Sequence, residues 1–200
     1  MNYLLHFLLA RDDEDLRLGS LLGDIVKGRV ERYDHPGTTP RIREGIRLHR
    51  AVDSYSDRHP VVRRSIQRLV PTYGRLSGVL VDVFYDHVLA RTWNAHHAQP
   101  LDMFTDEIYR TLHENLARLP ARAHPLVRAM SRDDWLGAYA HLDGIDRALR
   151  GMAHRSPIAR HIAPAAADLS RDYNAFANDF AEFLPDLQRE AARRLQTPDA

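Results

Sequence analysis

The chain has 200 residues, with 28 lysine and arginine side chains, 27 aspartate and glutamate side chains, and 12 histidines. Its 44% hydrophobic and 28% charged content is typical of a globular protein, and we predict a single domain over residues 1–200. The sequence contains no cysteine, which excludes disulfides, thiolate nucleophiles and cysteine-ligated metal sites. We find no membrane-length apolar run and no signal-peptide pattern, so we expect a cytoplasmic protein.

Positive charge is concentrated in the first half of the chain. The segment Lys27–Arg75 contains 12 basic and five acidic residues, a net charge of +7, although the whole chain carries only +1. A basic segment of this kind indicates an anionic partner. The alternative is a compositional bias, because all but one of the 28 basic residues are arginine. The sequence leaves both explanations open.

The apolar residues recur every three or four positions, and no stretch alternates as a half-buried strand would. The pattern predicts an all-α protein in the form of a helical bundle. Proline- and glycine-rich breaks separate the predicted helices, which span 2–10, 14–27, 40–56, 60–72, 75–96, 102–118, 122–131, 133–150 and 157–194.

The first two predicted helices each carry a candidate ligand. His6 lies in a short apolar helix and could be a ligand or a core histidine; we favour the core. Asp24 lies between Gly23 and Gly28 at what we predict to be the end of the second helix, and the glycines would allow a ligand to approach closely. Because a Gly-Asp pair is common at helix ends, this motif is weak when taken alone.

An imidazole and a carboxylate share one face of the third predicted helix. His49 and Asp53 are four residues apart and point in the same direction as Ile42, Ile46 and Val52. A carboxylate on an apolar face must be paired or bind a metal. On spacing alone, a His–Asp hydrogen bond is a better explanation than metal ligation.

The helix predicted at 75–96 is apolar on all sides, which indicates a central position in the fold. It nevertheless carries Asp82 and Asp86, four residues apart, with His87 beside them. Two carboxylates buried together would repel, and a divalent cation would resolve the repulsion. An ion pair with arginine is the alternative. We favour the metal, since three helices then offer Asp or His to a shared interior, as in metal sites of helical bundles.

Several segments, taken in order, resemble the acyl carrier protein phosphodiesterase family. They are Met1–Leu4 with His6, Gly19–Gly28, Gly45–Asp53, Asp82–Trp93 and Leu149–Arg155. The resemblance implies hydrolysis of the phosphodiester that joins 4′-phosphopantetheine to a serine of acyl carrier protein. It also implies an all-helical fold related to the HD phosphohydrolases and dependence on a divalent metal. Mn²⁺ is the expected ion, with Mg²⁺ or Fe²⁺ as alternatives. The chain has no His-Asp dipeptide, only the reversed pair Asp86-His87.

The resemblance, combined with the residue patterns, predicts a role for each candidate. We expect metal ligation by Asp24, His49, Asp53 and Asp86, with Asp82 or His87 as general base or as support for the ligands. The phosphate is expected to bind Lys27 and Arg50. The acidic carrier protein is expected to dock on the basic segment, with Arg43, Arg47, Arg63 and Arg64 among the contacts. We expect no nucleic-acid partner and no membrane partner.

Two alternatives follow from the same residues. A related HD-like phosphohydrolase could act on a nucleotide or another small phosphoester with the same metal site. A non-enzymatic helical module could instead bind nucleic acid through the basic segment, but it would have no need for the two acids on the apolar helix.

Overall fold

The computed structural model describes residues 3–155 and 157–196 of the chain. All regular structure within these ranges is helical, so the prediction of an all-α fold is confirmed. Short 3₁₀ turns join several of the helices. The α-helices are α1 (Tyr3–Leu9), α2 (Glu14–Leu22), α3 (Pro40–Ser56), α4 (Pro60–Tyr73), α5 (Ser77–Arg91), α6 (Leu101–Glu114), α7 (His124–Arg132), α8 (Trp135–Ala138), α9 (Leu142–Arg155), α10 (Ala165–Arg171) and α11 (Tyr173–Gln196).

The second predicted helix, 14–27, is shorter in the structure. It ends at Leu22, so Asp24 and Lys27 lie on a loop. Gly28 has a φ of +80°, a backbone conformation that favours glycine and lies outside the right-handed helix. The predicted end of the second helix at Lys27 is therefore wrong.

Two long predicted helices are divided in the structure. The segment 133–150 breaks between α8 and α9, and the segment 157–194 contains a 3₁₀ turn followed by α10 and α11. Pro164 immediately precedes α10, and proline cannot continue the hydrogen bonding of a preceding helix. The predicted start of the first helix at residue 2 lies outside the described residues, as do residues 197–200 of the predicted domain.

Helix α5 is buried on nearly all sides, which confirms its predicted central position. Its Phe84 packs edge-on against Phe176 of α11, with ring centroids 5.1 Å apart. Tyr85 packs in the same way against Phe180, at 5.3 Å. Within the described residues, the buried apolar side chains form a core cluster around this helix. None of the described helices has the length and apolarity needed to cross a membrane.

Helices α2 and α3 approach each other so closely that their backbones touch. A Cβ atom added at Gly19 would lie 2.3 Å from the carbonyl oxygen of Ile42 and 2.6 Å from the Cα of Gly45. One added at Gly45 would lie 2.6 Å from the carbonyl oxygen of Leu16. Each of these helices is capped at its start. The Oδ1 atom of Asp13 accepts a hydrogen bond from the N–H of Leu16, and the Oγ1 atom of Thr39 accepts one from the N–H of Ile42. The two glycines therefore set the distance between the helices.

The substitution Gly45→Ala should force α2 and α3 apart. We expect the free energy of unfolding to fall by about 1–3 kcal/mol, the usual effect of overpacking, as measured by urea denaturation.

Gly78→Ala is the control, because it also replaces a helical glycine with alanine, in the first turn of α5. The nearest atom that an added Cβ would meet there lies 4.0 Å away, on Ile66. This substitution should not lower the free energy of unfolding, because alanine favours a helix more than glycine does. Equal effects of the two substitutions would contradict the assigned role of Gly45.

Candidate metal centre

Four side chains from α1, the loop after α2, and α3 converge at one place. The Nε2 atom of His6 lies 3.1 Å from Oδ1 of Asp53, and the Nε2 atom of His49 lies 3.2 Å from Oδ2 of the same carboxylate. The Nε2 atom of His49 is also 3.5 Å from Oδ1 of Asp24. The structure thus brings together three of the four predicted ligands, and it adds His6.

The two imidazole rings form the floor of this cluster. They stack with centroids 3.8 Å apart and an angle of 12° between their planes, and both side chains are buried. The carboxylates are more accessible, with 46% of the Asp53 side chain and 35% of the Asp24 side chain exposed. A small charged group can therefore reach the cluster from solvent across the carboxylate side.

The electrostatics of the cluster couple the two imidazoles to the two acids. Burial, together with the neighbouring His49, lowers the pKa of His6 to about 4. Burial also lowers the pKa of His49, but hydrogen bonds with Asp24 and Asp53 outweigh it and raise that pKa to about 9. Burial opposes ionisation of Asp53, yet its hydrogen bonds with the imidazoles hold its pKa well below the usual range. Two anionic carboxylates thus surround nitrogen atoms that can bind protons or a metal.

The donor set fits a divalent cation. The donor atoms of His6, His49 and Asp53 all lie within 4.8 Å of one another. Imidazole nitrogen combined with carboxylate oxygen suits Mn²⁺ or Fe²⁺. Among the described residues, Oδ2 of Asp24 is buried and has no hydrogen-bond partner, so this acid retains an oxygen available for ligation. This orphaned oxygen and the mixed donor set support a metal site.

Gly23 allows the His49 ring to occupy its position. A Cβ atom on Gly23 would lie 2.1 Å from Cγ of His49, so no other residue fits between α2 and the ring. Hydrogen bonds from α3 hold the loop that follows Gly23. Arg50 donates to the carbonyl oxygen of Val26 at 2.6 Å and to that of Gly28 at 2.7 Å. These contacts place Asp24 directly beside His49.

Asp86 occupies a different position from the one predicted. It is fully buried, and its two oxygens accept the N–H groups of Leu4 and Leu5, each at 3.0 Å. Burial raises the pKa of Asp86 to about 8, although these two hydrogen bonds favour the anion. Both oxygens of Asp86 therefore anchor the first turn of α1, the helix that carries His6. Its role as a metal ligand stays a prediction.

His87, next to Asp86 on α5, is held by a contact outside the cluster. It is buried, and its Nδ1 donates to the carbonyl oxygen of Tyr139 at 2.7 Å. Burial lowers the pKa of His87. Burial also raises the pKa of Asp82, which is half-buried, and the charge of Asp53 acts in the same direction. The predicted roles of Asp82 and His87 stay predictions.

The predicted phosphate-binding and docking residues differ in their contacts. Lys27 donates to the carbonyl oxygen of Asp24 at 2.8 Å, and Arg43 to that of Tyr33 at 3.1 Å. Arg63 donates to the carbonyl oxygen of Asp57 at 3.2 Å. Since a carbonyl carries no net charge, these contacts, like those of Arg50, leave the positive charge of the side chain in place.

Two other basic residues pair with acids. Arg47 contacts Glu31 at 3.1 Å. Arg64 reaches across to α11, where its Nε lies 2.8 Å from Oδ1 of the buried Asp179 and its Nη2 lies 2.6 Å from Glu182. Glu31 is already counted in the net charge of +7 of the basic segment, whereas Asp179 and Glu182 lie outside that segment and partly neutralise it.

A family model described as acyl carrier protein phosphodiesterase matches residues 1–187 of the chain. The chain belongs to this family. Proteins named acyl carrier protein phosphodiesterase are similar to it over almost their whole length. The one from Serratia proteamaculans is 33% identical over 96% of this chain and 97% of its own. The one from Pectobacterium atrosepticum is 32% identical over 96% of this chain and 97% of its own. The one from Escherichia coli O6:H1 is 31% identical over 97% of this chain and 99% of its own. No solved structure matches the chain.

Membership of the phosphodiesterase family confirms the resemblance found in the sequence. It also identifies the chain as an enzyme of the hydrolase class that acts on phosphodiester bonds. The matched region contains every member of the His/Asp cluster. The relationship to HD phosphohydrolases stays a prediction.

Replacing Asp86 should test its role as anchor. Asp86→Ala leaves the N–H groups of Leu4 and Leu5 without acceptors in a buried position, and each such group costs about 1–3 kcal/mol. We expect the free energy of unfolding to fall by at least about 2 kcal/mol in urea titrations.

Asp86→Asn keeps one acceptor oxygen but turns an NH2 donor toward the other N–H group, so it should lose about half as much stability. An Asp86→Ala protein as stable as the parent, but unable to bind Mn²⁺, would restore Asp86 as a ligand.

Proposed function

We propose that this protein hydrolyses the phosphodiester between 4′-phosphopantetheine and the serine of holo-acyl carrier protein, releasing apo-acyl carrier protein and 4′-phosphopantetheine. The observation that carries this proposal is the match to the acyl carrier protein phosphodiesterase family over residues 1–187. The cluster of His6, Asp24, His49 and Asp53 supports it, because it offers the polar groups that phosphodiester hydrolysis requires.

The proposed cofactor is a divalent cation, Mn²⁺ first and Mg²⁺ or Fe²⁺ second, held by these four residues. Such an ion would neutralise charge on the phosphoryl oxygens and lower the pKa of a bound water. The half-exposed carboxylates of Asp24 and Asp53 leave room for substrate on the solvent side. His6 and His49 form the buried floor against which the phosphate would lie.

The surrounding cations act on the substrate through their charge. Lys27 and Arg50 border the loop that carries Asp24, and both make contacts with backbone carbonyls that preserve their charge. We assign them to attraction of the phosphodiester anion. General base catalysis by Asp82 or His87 stays a prediction; among the described residues, Nε2 of the buried His87 has no hydrogen-bond partner.

The docking surface follows from the same contacts. We place the acidic carrier protein on the loop-side face, defined as Lys27, Arg29, Arg32, Arg43 and Arg50, because it adjoins the cluster. Lys27, Arg29 and Arg32 are exposed. Arg64 is less suitable, since Asp179 and Glu182 already neutralise it. Attraction between exposed charges is screened by salt, so docking should weaken as ionic strength rises.

Intact-mass spectrometry of holo-acyl carrier protein incubated with the enzyme and Mn²⁺ tests the reaction directly. The carrier should lose the mass of its phosphopantetheine arm, and EDTA should prevent this loss. His6→Ala and His49→Ala should each abolish the reaction and the thermal stabilisation by Mn²⁺, because each removes a proposed ligand.

His113→Ala is the control, since this histidine is exposed and contacts Ser131 instead. If the carrier kept its arm in the presence of Mn²⁺ while nucleotides were hydrolysed, the small-phosphoester alternative would replace this proposal.

Reversing charge on the loop-side face should weaken docking without altering the chemical step. The double substitution Arg29→Glu with Arg32→Glu should raise the KM for holo-acyl carrier protein about tenfold at low salt, with kcat nearly unchanged. Steady-state kinetics at two salt concentrations would measure both values.

The exposed Arg110 on α6 and Arg128 on α7 offer a control of equal charge change, and the double substitution Arg110→Glu with Arg128→Glu should leave KM within about twofold of the parent. A fall in kcat without a change in KM would argue against docking at this face.

A further inference from the structure

A cavity of about 220 Å³ lies between the first turn of α1 and the helices α8 and α9. It is smaller than the ~300–1,000 Å³ of sites that enclose a drug-sized ligand, so it suits a slender chain. Aromatic rings and small or flexible apolar side chains form most of its wall. They are Tyr3, Trp135, Tyr139, Ala148, Gly151 and Met152.

This cavity is close to the metal centre because both use α1. Tyr3 lines the cavity, and His6 follows it by three residues on the same helix. Residues three apart on a helix have Cβ atoms about 5–6 Å apart. The cavity therefore begins about one helical turn from a proposed metal ligand, at a distance suited to a group attached directly to the scissile phosphate.

The relative position of cavity and centre is fixed by two adjacent residues of α5. Asp86 holds the first turn of α1 through the N–H groups of Leu4 and Leu5. The imidazole of His87 donates a hydrogen bond to the carbonyl oxygen of Tyr139, and Tyr139 lines the cavity. The polar residues on α5 thus link the cavity wall to the helix that carries His6.

The composition of the wall matches a chain that is both apolar and polar. Arg147 and Asp133 also line the cavity, and both are exposed, so they lie toward solvent. From the phosphate, the pantetheine arm begins with a methylene group and a carbon that carries two methyl groups, and it continues through a hydroxyl and two amides. The methyl groups would pack on Trp135 and Tyr139, while Arg147 could donate to an amide carbonyl.

We infer that this cavity binds the pantetheine arm of the substrate next to the cleaved phosphodiester. The inference rests on the proposed function, which it deepens by assigning the arm to residues of α8 and α9. This assignment explains the small residues Ala148 and Gly151, because larger side chains there would occupy the space of the arm. The arm would then be recognised by shape and apolar contact as well as by its phosphate.

Isothermal titration of the Mn²⁺-loaded protein with pantetheine, which lacks the phosphate, tests the inference. Pantetheine should bind the parent protein. Ala148→Phe should weaken this binding at least tenfold by filling the cavity, whereas the thermal shift caused by Mn²⁺ should not change. Gly151→Leu should have the same effect and carries little risk of unfolding, because leucine favours a helix more than glycine does.

Arg150→Phe is the matched control, since residue 150 is exposed on the same helix and does not line the cavity. It should bind pantetheine as the parent does. The inference is overturned if pantetheine fails to bind the parent, or if both cavity variants bind it as tightly as the parent. It is also overturned if octanoate, a free apolar chain, competes for the cavity while pantetheine does not.

The same experiment separates this inference from the proposed function. If pantetheine binds in a cavity-dependent way but holo-acyl carrier protein keeps its arm in the mass assay, hydrolysis fails and the cavity assignment stands. If the arm is cleaved equally well by the parent and by both variants, and pantetheine does not bind, the function stands and the assignment fails.

Discussion

The close approach of α2 and α3 is the constraint on which the proposed metal centre depends. Gly19 and Gly45 let the two backbones touch, and the same two faces continue one turn later. Four residues beyond Gly19 lies Gly23, and four beyond Gly45 lies His49, whose ring packs on Gly23. Only at this separation can the carboxylate of Asp24 come within 3.5 Å of the His49 imidazole. A backbone contact between glycines thus places a carboxylate beside a histidine.

The position of His6, the fourth side chain of the cluster, depends on a helix too short to be stable alone. Helix α1 has seven residues, well below the length at which an isolated helix persists in water. The carboxylate of Asp86 compensates by accepting two N–H groups of the first turn, in the interior where water cannot do so. Docked in this way, α1 stacks His6 on His49. Asp86, which the sequence predicts as a metal ligand, thus positions His6 in the cluster.

Local patterns in the sequence were sufficient for some of these features. The four-residue spacing of His49 and Asp53 predicted their shared face, and the apolar run around Phe84 predicted a central helix. His6 could not be identified as a donor, because its partner Asp53 is 47 residues away and no local spacing connects them. The hydrogen bonds of Asp86 to α1 could not be predicted for the same reason, since its partners lie 81 and 82 residues away. Counting charge over a segment likewise missed the pairing of Arg64 with acids of α11.

The contacts of the Asp53 carboxylate limit which side chains can replace it. One of its oxygens serves His6 and the other serves His49, so both acceptors of a symmetric group are in use. Asparagine has the same shape but presents one oxygen and one amino group, and would turn a donor toward one imidazole. Glutamate has two oxygens but is one methylene longer, and would push into the stacked rings. The twofold symmetry of a single carboxylate therefore leaves this position with no conservative replacement.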